Sequence, residues 1–317
     1  MPPFRTPLIA VAALAGAAFI TSSAEAVTLS VEQAPTRVAA LDGTVMWSRL
    51  DSTTGRYQLV KSIGGAPATS VAVAQRAGGP FDIDLGTGRS GAPTAVYSRD
   101  GDLYRLVVSS GVETKLDGLS SPKRVERSPT IQRGYIAFIR RDGGRDQLRI
   151  SRTAGASAGS RLLVSMGMIP SAELGDRHIA YIDSKAYRDV GGRAFVHIRN
   201  LRTGADRRVY KATSGGANYA NVTKPSYAAE PEAFVWARTN MGSGSGNRFV
   251  RYTLGDGKLG YGPGNVRYNS TSWAGGALGA AYSTSLTGEE TPGACTDGPR
   301  NYCEVGVTGP LAFTLKP

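Results

Sequence analysis

Asp82 and Asp84 stand two residues apart in FDIDLG, Phe81–Gly86, and they are the acids whose spacing first suggests chemistry. In an extended segment alternate side chains share a face, so both carboxylates point the same way. Two chemistries use acids in this fashion. Calcium gathers several oxygen ligands from closely spaced acids. A glycosidase sets two carboxyls across a cleft as acid and base. The alternating acid pattern of a calcium loop stops at Gly86. Asp82 and Asp84 therefore stand as candidate metal ligands against a plainer role, in which both accept backbone N–H groups at the corner of a sheet.

Other catalytic groupings are scarce. The two histidines, His178 and His197, sit in the strand-like runs HIAYID and AFVHIRN. No Gly-x-Ser-x-Gly, phosphate-binding loop, His-Glu-x-x-His or dinucleotide fingerprint accompanies them. The residues point to no cofactor and to no catalytic set.

The two cysteines, Cys295 and Cys303, lie close together in CTDGPRNYC. Their chemistry depends on the compartment, and the N-terminus speaks to that. Arg5 precedes an apolar run, Leu8–Ile20, and Ala24-Glu25-Ala26 has the small-x-small form of a cleavage site. Residues 1–26 read as a secretory signal, and 27–317 as one mature domain, secreted or extracytoplasmic. An oxidising compartment favours a Cys295–Cys303 disulfide over two free thiols. No later stretch is long and apolar enough for a transmembrane segment.

Charge is the remaining chemical signal. The formal net charge is +12. Between Ser120 and Lys211 there are 19 Lys and Arg against 8 Asp and Glu, which concentrates most of the excess. Lys123, Arg124 and Arg127 open this segment, and Arg207, Arg208 and Lys211 close it. Together they are a candidate anion-binding flank, with a solubilising surface as the alternative. A positive field of this kind raises the local concentration of a polyanion. Nucleic acid is disfavoured, because neither a recognition motif nor a basic stripe interleaved with aromatics is present.

What positions these residues is a repeat. TVMWSR at Thr44–Arg49 is echoed by TAVYSR at Thr94–Arg99, YIAFIR at Tyr135–Arg140, HIAYID at His178–Asp183, AFVWAR at Ala233–Arg238 and GAAYST at Gly279–Thr284. The aromatics Trp47, Tyr97, Phe138, Tyr181, Trp236 and Tyr282 recur at intervals of 41 to 55 residues. Strand-rich units at such a period indicate a β-propeller. A second alternating run follows each echo across a turn such as RDGD or RRDGGRD, and weaker strands flank each pair. This predicts an all-β, six-bladed propeller of four-stranded antiparallel blades. Seven blades is the alternative, with Val27–Val31 starting an extra one. The ring is expected to close through Val27–Val31 or Leu311–Leu315. The repeat aromatics should fill the space between blades. Arg49, Arg99, Arg140 and Arg238, two positions further on, should either form an arginine ring at one face of the disc or, the favoured arrangement, pair with turn acids such as Asp51, Asp100 and Asp142.

The stretch SPTIQRGYIAFIRRDGGRDQLRI, Ser128–Ile150, resembles the repeat of TolB-like β-propellers: Ser-Pro, an Ile-Ala-Phe strand, a Gly/Asp turn and a Leu/Ile-x-Ile strand. PFDIDLGTGRSGAPTAVYSRDGDLYRL, Pro80–Leu106, is similar to secreted actinobacterial proteins of this type, mostly of unassigned function. Where such relatives often carry a cysteine pair, this chain has Asp100 and Gly101-Asp102. The resemblance implies a six-bladed propeller that binds protein or ligand, and it implies no catalytic residues. The expected function is non-catalytic binding of a partner protein or an anionic cell-envelope polymer. The alternative is a propeller glycosidase or lyase with carboxylates in the central channel.

Overall fold

The structure is a computed structural model and describes residues 27–32, 36–121, 123–152, 159–185, 193–213, 219–241, 248–264, 270–273, 280–286, 302–307 and 314–315. The leader 1–26 and Cys295 lie outside the described residues, so the cleavage site and the Cys295–Cys303 bridge do too.

Among the described residues every regular element is a strand. β1 (Val27–Glu32) is followed by the first sheet: β2 (Val38–Leu41), β3 (Thr44–Asp51), β4 (Arg56–Ile63) and β5 (Thr69–Ser70). The second holds β6 (Asp82–Thr87), β7 (Pro93–Arg99), β8 (Asp102–Val107) and β9 (Val112–Lys115). The third holds β10 (Glu126–Gln132), β11 (Tyr135–Asp142), β12 (Arg145–Arg152) and β13 (Arg161–Met166). The fourth holds β14 (Ala172–Leu174), β15 (His178–Lys185), β16 (Arg193–Asn200) and β17 (Asp206–Thr213). The fifth is built on β18 (Tyr219–Val222), β19 (Ser226–Ala228), β20 (Ala233–Met241), β21 (Arg248–Thr253) and β22 (Leu259–Gly264). The sixth has β23 (Ser270–Trp273), β24 (Ala280–Leu286) and β25 (Tyr302–Val307). β1 pairs antiparallel with β25 and completes that sheet, while β26 (Thr314–Leu315) pairs with β22.

The blade count expected from the sequence is corrected. The four-stranded blade occurs five times, not six or seven, and the remaining sheet has six strands. Two features make it different. Its inner strand is split into β18 and β19, both paired with β20, around Thr223-Lys224-Pro225. Pro225 has no N–H to give to the ladder, so the pairing lapses there. β26 then adds to the outside. Val27–Glu32 starts no extra blade, because it is the outer strand on β25.

The sheets form a closed ring. The inner strands β2, β6, β10, β14, β19 and β23 touch in that order, and β23 touches β2 again. Each repeat aromatic lies on the second strand of its sheet and packs toward the preceding one. Trp47 meets Val305 and Leu29 of the sixth sheet. Tyr97 meets Met46 and Leu59 of the first. Phe138 meets Val96 and Leu103, Tyr181 meets Ile139 and Leu148, and Trp236 meets Val196 and Tyr210. All five are buried. Tyr282 occupies the same place in β24, and its side chain lies outside the described set. One sheet cannot cover both of its own faces, and the ring covers each with its neighbours.

Arg49, Arg99 and Arg140 do not pair with turn aspartates, which corrects that expectation for them. Arg49 meets Glu32 at 3.2 Å, Arg99 meets Glu113 at 2.7 Å and Arg140 meets Glu126 at 2.6 Å. Glu126 lies opposite Arg140 on β10, Glu113 is on β9, two strands from Arg99, and Glu32 comes from β1 of the preceding sheet. Glu32 and Glu113 also accept Trp47 Nε1–H and Tyr97 O–H. A buried indole or phenol needs an acceptor, and the same acid that supplies it also satisfies the arginine. The turns have their own solution: Asp100-Gly101 joins β7 to β8 with both residues at positive φ (54° and 85°), the two-residue hairpin geometry that an Asp-Gly pair favours.

Candidate functional site

The inner strands expose a ring of equivalent positions to the axis. They are the residues paired with the one just before each repeat aromatic: Ala39, Asp84, Thr130, Glu173, Ser226 and Ser272. All are buried. Inner strands have a free backbone edge, because only one side is paired within the sheet. An unpaired buried N–H is costly, and this ring removes that cost. Asp84 Oδ2 accepts the Ile131 N–H at 2.9 Å, and Thr130 Oγ1 accepts the Leu174 N–H at 3.0 Å. Glu173 Oε1 accepts the Tyr227 N–H at 3.2 Å, and Ser272 Oγ accepts the Ala40 N–H at 2.9 Å. In each case a polar side chain of one sheet receives the next residue on from the equivalent position of the following sheet. The belt joins sheets that share no strand ladder.

A lysine crosses it. Lys224, from the break between β18 and β19, reaches the opposite side of the ring. Its Nζ lies 2.6 Å from Asp84 Oδ1 and 3.0 Å from Glu173 Oε2. Burial opposes the ammonium charge, but the two acids more than offset it and hold the lysine protonated. One cation thus faces two buried carboxyls. Burial first, and the Asp84 charge second, push the Glu173 carboxyl up to about 8. Asp82 goes the other way. Burial works against its charge, yet Arg37 and the Ser128 N–H outweigh it and hold Asp82 below the usual carboxylate range.

Because Glu173 binds its proton more tightly in the folded chain, its contribution to stability is complete below about 4.5 and is lost as pH rises through about 8. Each unit of displacement corresponds to about 1.4 kcal/mol. Glu173→Gln should therefore unfold within a few degrees of the wild type at pH 6 and become the more stable of the two at pH 9. Thermal melts at both values check this, and parallel pH dependence in the two proteins would contradict it.

Asp82 and Asp84 do come together, as neighbours on β6, but they hold side chains and backbone of this chain. No group of three or more His, Cys, Asp or Glu suited to a metal occurs among the described residues. The six flank residues divide. Arg127 points inward, bonded to Asp146 at 2.6 Å and to the Ile169 and Pro170 carbonyls. Arg124 pairs with Asp142 at 3.3 Å near the end of β11, and exposed Lys123 is beside it in the chain. Arg207, Arg208 and Lys211 are exposed on β17, the outer edge of the fourth sheet. Arg208 lies over Phe195, 4.9 Å from the ring centroid.

Sequence reasoning missed a cavity of about 900 Å³ among the third, fourth and fifth sheets. It opens where β10–β11, β14–β15 and β16–β17 turn, beside the ends of β12 and β13. Ile150, Leu174, Leu201 and Leu254 supply its apolar lining, and Arg152, Arg161, Arg177 and Arg202 its charge. On its wall His178 Nδ1 faces Glu232 Oε1 at 3.9 Å, and Asn200 Nδ2 lies 3.1 Å from His178 Nε2. His178 was an ordinary strand residue in the sequence. The only signal for the cavity was the excess of arginine, which cannot show that loops of three sheets converge.

No known protein family matches the chain, and no curated protein does. Solved structures are similar in fold. An oligogalacturonate lyase in complex with manganese aligns at 12% identity over 83% of this chain and 75% of that one, with a TM-score of 0.53. Puromycin hydrolase aligns at 13% identity over 80% of this chain and 50% of that one, with a TM-score of 0.52. TolB from Acinetobacter baumannii is also among the similar structures, at 12% identity over 88% of this chain and 56% of that one, with a TM-score of 0.47, and nothing further follows from a likeness at that level. At these identities the likeness shows the fold alone: the chain is an all-β propeller.

Proposed function

We propose that this chain is an exported, non-catalytic binding propeller whose basic surface docks an anionic cell-envelope polymer or an acidic protein partner. One observation carries the reading: the axial carboxylates are committed within the chain. Asp82 is held by Arg37 and a backbone N–H, Asp84 by Lys224 and a backbone N–H, and Glu173 by Lys224, Thr130 and a backbone N–H. A glycosidase or lyase needs carboxyls free to meet substrate. The exposed bases on β17 and at Lys123 have no such commitment to the core. No helix among the described residues is long and apolar enough to cross a membrane. Removal of residues 1–26 and a Cys295–Cys303 bridge belong to the same proposal; protein recovered from medium should begin near Val27 and show no titratable thiol.

The test is retention of the protein on anionic envelope polymers across a salt series. Neutralising several anionic contacts makes binding fall steeply with salt. Arg207→Glu/Arg208→Glu should lower the salt needed for elution, and Lys123→Glu/Arg124→Glu reports on the opposite face of the disc. Unchanged elution in both double variants reduces these residues to a solvated surface.

A further inference from the structure

From the cavity among the third, fourth and fifth sheets we infer that this chain has a site for an acidic saccharide, a short run of uronate units whose carboxylates meet Arg161, Arg177 and Arg202 while one sugar face lies on Tyr135. This rests on the proposed binding of anionic polymers and names where and how one segment would be held. The volume, about 900 Å³, suits a ligand of a few sugar units.

The charge is unspent. Arg161, Arg177 and Arg202 are exposed and have no acidic partner among the described residues. Of the two lining acids, Asp176 is already held by Arg133 and by Gln132 Nε2 at 2.8 Å, and Glu232 faces His178. Guanidinium groups present paired N–H donors that match planar carboxylates. Saccharide is favoured over a bare anion by what lies beside the charge. Tyr135 is 37% exposed, large for an aromatic. Arg152 fixes its ring from one side, with the guanidinium 5.1 Å from the centroid and Nε donating to the phenol oxygen at 2.8 Å. A pyranose has an apolar C–H face and polar edges. The ring and the partly exposed Leu201 and Leu254 match the apolar face, and the guanidinium groups match the polar edges.

Isothermal titration with a mannuronate trisaccharide, neutral mannotriose and tripolyphosphate tests the assignment. The expected result is saturable binding of the mannuronate trisaccharide, no binding of mannotriose, and at least a tenfold loss in Arg177→Ala/Arg202→Ala. Tyr135→Ala should weaken the trisaccharide several-fold and leave tripolyphosphate unchanged. Arg56→Glu, at an exposed residue on β4 of the first sheet and outside the cavity, should stay within twofold of wild type. Melting temperatures confirm that each variant folds. No trisaccharide binding, or binding indifferent to Arg177→Ala/Arg202→Ala, overturns the site; polymer retention that persists in that case leaves the surface reading standing. Equal or tighter binding of tripolyphosphate, with Tyr135→Ala silent, overturns the saccharide assignment.

Discussion

Lys224→Met is expected to destabilise the fold by about 3–5 kcal/mol, the usual loss when one partner of a buried charge pair is removed. The ammonium lies between Asp84 and Glu173, at 2.6 and 3.0 Å, and both acids are under 6% exposed (3% and 5%). Without it, two carboxyls remain in a low-dielectric belt that also carries the hydrogen bonds between sheets. Protonating Glu173 relieves part of the repulsion, so the loss should be larger at pH 9 than at pH 6. Glu173→Gln in the Lys224→Met background should recover part of it, which a simple packing defect would not show. For a domain of this size the shift in melting temperature is roughly ten degrees. Circular dichroism melts of the single and double variants measure it. A loss below about 1 kcal/mol would mean that water reaches these acids and screens them.

Gly86→Ala should cost about 3 kcal/mol, at the upper end of what overpacking imposes. A Cβ at Gly86 would stand 1.8 Å from the Ile131 carbonyl oxygen and 2.8 Å from its carbon. Both atoms are backbone, so no rotamer relieves the clash and β6 must move away from β10. That movement also stretches the bonds from Asp82 to the Ser128 N–H and from Asp84 to the Ile131 N–H. Gly167→Ala, where a Cβ meets nothing within 4 Å, is the control and should change stability little. Denaturant midpoints compare the two, and faster hydrogen exchange at the Ile131 amide would locate the damage. Equal midpoints would show that the two strands sit further apart than described.

The two substitutions mark what kind of information a sequence carries about this chain. The all-β class, the second strand of every sheet and the burial of Trp47, Tyr97, Phe138, Tyr181 and Trp236 were legible in it, because each is a local matter of alternation, turn residues and β-branched or aromatic side chains repeated at a period. A ladder partner a hairpin away follows the same local rules. Blade form was less legible. Pro225 in TKPSYA is visible, but that it splits an inner strand, and that Val27–Glu32 and Thr314–Leu315 finish different sheets, depends on where a ring closes.

The site was decided by tertiary structure alone. Asp82 and Asp84 looked like a ligand pair, and Gly86 looked like the acid missing from a calcium loop. In the fold Gly86 is there because two inner strands nearly touch, and the acids serve the next sheet's backbone. Lys224 lies 140 residues from Asp84, and Arg152 and Arg202 meet around one cavity only because three sheets are wedged side by side. Local sequence determines which residues form strands and which faces are apolar; it holds no term for the contact between one sheet's side chain and another's amide, which exists only once the ring has closed.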